Sequence, residues 1–118
     1  MNGTIVQPSE NMLKLRTGLE GLVTAEMPSL EVRFSLHGGT NLYVLSIVDP
    51  RRGLGALLGK KDNVVANLVP GYNEDGTETG YMTIETSPKS YVGMSYYRLE
   101  RAAISAGYEV AHRVELEQ

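Results

Sequence analysis

A chain of 118 residues with a net charge of −3 and no cysteine has room for one domain with a real core. It can carry no disulfide, thiolate metal site or cysteine nucleophile. Leu, Ile, Val and Phe make up about a quarter of the residues, above the composition at which chains stay disordered. The segment Met1–Pro8 lacks a basic stretch and a long apolar run, so no signal peptide is read there. No apolar run approaches the ~20 residues of a membrane span. The expectation is a single cytoplasmic domain over residues 1–118, away from membranes. An acidic balance does not favour nucleic acid as a partner. Charge is uneven, however: Arg51–Lys61 holds four bases and no acid, whereas Asn73–Glu85 holds four acids and no base.

Residues 1–7 show no period and read as a loose arm or a short edge strand. Pro8-Ser9 opens a helix with Ser9 as N-cap. Met12, Leu15, Leu19, Leu22 and Val23 then form one apolar stripe. Gly18 and Gly21 lie inside it, each costing roughly 1 kcal/mol relative to Ala. They mark either local tolerance or the close approach of another backbone, such as a dimer mate. Met27-Pro28-Ser29 ends the helix.

Leu30, Val32, Phe34 and Leu36 alternate with Glu31, Arg33, Ser35 and His37, which predicts a strand with one wet face. Gly38–Asn41 is a turn. Leu42–Val48 is a second strand, apolar on both faces and so expected in the sheet interior or covered on both sides. Val64–Val69 and Tyr81–Thr86 are read as a hairpin, with Pro70–Gly80 as its exposed tip. Ser87-Pro88 is a second helix opening. Val92, Tyr96, Leu99 and Ala103 form the stripe of that helix, and Gly107 is its terminating glycine. Tyr108, Val110, His112, Val114 and Leu116 alternate as the apolar face of a last strand. The order is α-β-β-β-β-α-β. It predicts an α+β two-layer sandwich: a mixed, mainly antiparallel sheet of four to five strands with two helices on one face.

The loop Arg51-Arg52-Gly53-Leu54-Gly55-Ala56-Leu57-Leu58-Gly59-Lys60-Lys61 combines glycines that let backbone N–H groups approach an anion with side chains that neutralise one. It departs from the phosphate loop at Leu54 and Lys61, and from the dinucleotide fingerprint at Leu58. What it retains is a generic anion site made of Arg51, Arg52, Gly53, Gly55, Gly59, Lys60 and Lys61, set against a plain solvated loop. His37 falls on a wet strand face and His112 on an apolar one, where a hydrogen-bonded core histidine is the ordinary outcome. Two separated histidines are a poor zinc set, and no metal or cofactor is expected. The acids Glu74, Asp75 and Glu78 read as a solvated hairpin tip. No serine stands in a nucleophile elbow.

Seven tyrosines accompany one Phe and no Trp. Tyrosines at helical spacing are ordinarily core residues with the hydroxyl at an edge, but they also build interfaces. Tyr43, Tyr96, Tyr97 and Arg98, with His37 and His112, are the candidate recognition surface. Three functions are weighed. The first is a non-catalytic binding or assembly module, expected to be a homodimer, especially if Tyr43, Leu45 and Ile47 share the wet face of the first strand. The second is a binder of, or enzyme for, a small anionic or phosphorylated ligand such as a nucleotide. The third is a weak nucleic-acid binder.

Overall fold

The computed structural model describes residues 8–36, 42–50, 63–86 and 96–116. In chain order these form α1 (Glu10–Glu26), β1 (Glu31–Leu36), β2 (Tyr43–Asp49), β3 (Asn63–Tyr72), β4 (Glu78–Thr86), α2 (Tyr96–Ser105) and β5 (Glu109–Glu115). The strands make one sheet in the order β1-β2-β3-β4-β5. The first four pair antiparallel, and β5 joins β4 in parallel. The α+β sheet-and-helix order read from the sequence is the one observed.

Each helix forms because its apolar stripe has a sheet to lie on. Met12, Leu15, Leu19 and Val23 of α1 and Leu99 and Ala103 of α2 share one core with Leu45, Ile47, Ala66, Leu68, Met82 and Ile84. Both helices therefore cover the same face of the sheet. Ser9 caps α1 by accepting from the Met12 N–H at 3.1 Å. Gly107 ends α2 at φ +104°. There the Tyr108 N–H donates to Ala103 O and the Gly107 N–H to Ile104 O, each at 3.0 Å. This is the paired closure that a left-handed glycine permits. Within α1, a Cβ built on Gly18 or Gly21 meets nothing within 4 Å.

The β1–β2 register settles which faces meet. Val32 pairs with Ile47 and Phe34 with Leu45, so Tyr43, Leu45 and Ile47 lie under the helices and do not share the wet face of β1. Val44, Ser46 and Val48 share that face instead, and all three are buried. β2 is thus covered on both sides, in the sheet interior. On edge strand β1 the expected inner residue Leu36 is 54% exposed.

The hairpin is longer than expected. β3 runs through Pro70 to Tyr72 and β4 starts at Glu78, leaving only residues 73–77 as the tip. Proline lacks a ladder N–H, yet a register shift between Pro70 and Tyr72 absorbs that loss, as bulges do. A second bulge sets Val65 into the core between the Ala66 and Val64 pairs.

A third bulge overturns the reading of the last strand. Val110 pairs with Met82 and His112 with Thr83, leaving Ala111 as the extra residue. One extra residue flips every later side chain to the other face. Val110 packs on the core, but His112 and Val114 turn to the face away from the helices and are exposed. Arg113 takes the inner side, 4.4 Å over the Tyr96 ring.

Candidate functional site

The sheet face opposite the helices is organised by register. Arg33, Ser46, Asn67, Glu85 and Val114 stand in one row, one residue per strand. Ser46, only 7% exposed, donates its hydroxyl to Asn67 Oδ1 at 2.6 Å. Asn67 Nδ2 donates to Glu85 Oε1 at 3.0 Å. Ser35 Oγ lies 3.4 Å from Ser46 Oγ. Buried polar groups persist only where they are satisfied, and this row satisfies itself across three strands. It does not activate a nucleophile: Ser46 gives its proton to an amide oxygen, which has no basicity to accept it in a reaction.

Next to the row, Gly71, Tyr81, Met82, Thr83, Ala111 and His112 line an open cavity of about 390 Å³. The bulge at Ala111 is what brings His112 to its wall. Beyond it, β5 is the last strand of the sheet among the described residues, with six of its seven residues exposed and Val114 43% exposed.

A second polar cluster lies at the other end of β4. Glu78 accepts from Tyr108 at Oε1, 2.7 Å, and from Ser9 at Oε2, 2.9 Å. Tyr108 is buried, and burial, with Glu78 beside it, holds its phenol above the ordinary value. Burial likewise raises Tyr72, the cross-strand partner of Glu78. With both carboxylate oxygens occupied and the phenol enclosed, the cluster fastens the α1 cap to the hairpin and to the start of β5. This corrects the expectation that Glu78 belongs to a solvated tip. Only Glu74 and Asp75 remain exposed there, and Asp75 is held below the usual carboxylate range by hydrogen bonds from Thr77.

Set against protein-family models, curated proteins and solved structures, the chain matches none of them.

The anion loop Arg51–Lys61, with Arg51, Arg52, Gly53, Gly55, Gly59, Lys60 and Lys61, lies outside the described residues, as does His37. Tyr43 sits under the helices, its ring edge-on to Phe34 at 5.5 Å and 69°. Tyr96 is half-buried beside Arg113, and burial raises its phenol. Tyr97 is 61% exposed and receives a hydrogen bond from Arg101 at 2.9 Å. Arg98 pairs with Glu26 of α1. His112 is on the opposite face of the sheet from all four. The candidate recognition residues thus divide between two faces and do not form one surface. His112 is not a core histidine, because the bulge reverses its side. Sequence reading passed over Tyr81 and Thr83, which reach His112 only through strand pairing.

No helix among the described residues is long and apolar enough to cross a membrane. Among the same residues, no three His, Asp or Glu side chains cluster to hold a metal ion.

Proposed function

We propose that the chain is a non-catalytic binding or assembly module that works as a homo-oligomer. The observation that carries this reading is the sheet's last strand: among the described residues β5 pairs only with β4 and leaves six of its seven residues exposed. An open edge presents unpaired backbone donors and acceptors, a template for another strand. The Ala111 bulge guards the first half of β5, and the rest of the strand carries neither proline nor lysine, two further guards of such an edge. The Ser46–Asn67–Glu85 row and the Glu78 cluster are engaged in structural hydrogen bonds, which supports binding over catalysis.

Native mass spectrometry on untagged protein at low salt tests the reading. A dimer or higher assembly is expected. A monomer at every concentration, with no retained partner mass, overturns it.

A second reading is favoured by the cavity beside His112. A small anionic ligand could be held there by the imidazole, with Tyr81 and Thr83 at the wall. Titration with inorganic phosphate and with nucleotides tests it. Binding should disappear in His112→Ala at an unchanged melting temperature. Binding that persists in His112→Ala, but is lost on charge reversal at Arg52 and Lys60, would move the site to the basic loop.

A further inference from the structure

We propose that two copies of this chain join through β5, antiparallel across a two-fold axis at Val114, so that Arg113 of each copy faces Glu115 of the other. This rests on the homo-oligomer reading above and specifies its interface.

Backbone direction limits the choice of register. The Leu116 N–H donates to Thr86 O at 2.8 Å, so residue 116 points its backbone groups at β4. Alternation along a strand turns Val114 the same way, and turns Arg113 and Glu115 outward to the free edge. An added antiparallel strand must oppose outward residues to outward residues to form its ladder. Every two-fold axis through a residue meets that condition, and three of them fall on the last three residues of β5. An axis at Arg113 sets two arginines directly opposite, and one at Glu115 sets two glutamates opposite. Like charges directly opposite are destabilising. An axis at Val114 sets Arg113 against Glu115 twice, and each opposed pair is also the one that exchanges backbone hydrogen bonds.

The side chains fit the same axis. Val114, exposed on the face away from the helices, meets its own copy in a non-hydrogen-bonded pair, where side chains approach most closely. The row that ends in Val114 then continues into the row of the second copy. On the helix side, Arg98 points toward α1 through Glu26, while Tyr96 points toward β5 through Arg113. The flank of α2 above the seam therefore carries Tyr96, Glu100 and Ile104, at four-residue spacing. Ile104 is 55% exposed. Joining the sheets edge to edge places the two α2 helices on the same side of the seam, where each Ile104 gains cover. β1, the other edge among the described strands, carries Glu31 and Arg33 at the same spacing, but these two already pair with each other within the strand.

The test is sedimentation equilibrium of the full chain from submicromolar to millimolar concentration. Wild type, Arg113→Glu, the swap Arg113→Glu with Glu115→Arg, and Val114→Cys are compared. Wild type is expected to dimerise. Arg113→Glu should weaken the dimer about tenfold, since two attractive pairs become repulsive, and the swap should restore it. Val114→Cys is the only thiol in a chain without cysteine. On oxidation it should cross-link into a covalent dimer, while a Ser105→Cys control should not. A dimer that ignores Arg113→Glu and gives no Val114→Cys cross-link overturns the β5 interface and leaves the assembly reading standing. A wild-type monomer throughout overturns both.

Discussion

The Tyr108 hydroxyl donates to Glu78 Oε1 at 2.7 Å, joining the start of β5 to the start of β4. The other carboxylate oxygen holds Ser9, so one side chain ties three distant parts of the chain. Tyr108→Phe leaves the ring in the core and removes this bond together with the 3.5 Å contact between its hydroxyl and Ser9 Oγ. A hydrogen bond to a charged, half-buried acceptor contributes about 1.5–3 kcal/mol, and a loss of that order is expected in urea unfolding at neutral pH.

The same residue makes an alkaline prediction. Burial holds the folded Tyr108 phenol above its ordinary value of 10.0. A raised folded value means the protonated form is favoured by folding. Its contribution is complete below pH 10.0 and declines as the pH rises from there toward the folded value. Tyr72 and Tyr96 are raised in the same direction. Stability measured from pH 8 to 12 should therefore fall at the alkaline end, and fall less steeply in Tyr108→Phe.

Ser9 acts as cap and as donor to Glu78. Ser9→Ala should cost about 1 kcal/mol from the lost cap alone. Combined with Tyr108→Phe, the two effects should not add, because both hydroxyls serve one carboxylate. A double-mutant cycle showing simple additivity would mean that Glu78 does not couple them.

Three glycines should respond in opposite directions. Gly18→Ala and Gly21→Ala each place a methyl in open space and should stabilise by roughly 1 kcal/mol. Gly107→Ala forces a Cβ into the left-handed region, 3.1 Å from Asn11 Nδ2, and should destabilise by about 1–2 kcal/mol. Thermal melts of the three variants decide the matter.

On the sheet face away from the helices, Asn67→Ala leaves the buried Ser46 hydroxyl without its acceptor, at a cost of about 1–3 kcal/mol. Replacing Ser46 and Asn67 together by valine removes that donor and acceptor at once, leaves the Glu85 carboxylate without its Asn67 donor, and should cost less than Asn67→Ala alone. Equal losses in the single and double variants would show that the row is not a hydrogen-bonded unit.

Much of the fold was legible because the signals are local. Alternation from Leu30 to Leu36, the stripe from Met12 to Val23, the Ser9 cap and the Gly107 stop each depend on nearby residues, and they fixed element type and order. The hairpin was read too short because Pro70 signals a turn unless a bulge accommodates it. Of the candidate site, the basic loop and His37 lie outside the described residues, and a bulge that periodicity does not reveal parts His112 from Tyr43, Tyr96, Tyr97 and Arg98.

What the sequence determined by itself was the order α-β-β-β-β-α-β and which helical stripes needed a sheet to cover. Only the tertiary structure decided that the extra residue Ala111 turns His112 and Val114 outward and Arg113 inward. It also decided that Glu78 serves Ser9 and Tyr108 and leaves the solvated tip. The reason is range: periodicity reports a residue's neighbours along the chain. A bulge is set by the strand paired beside it, and Glu78 finds its partners 69 and 30 residues away.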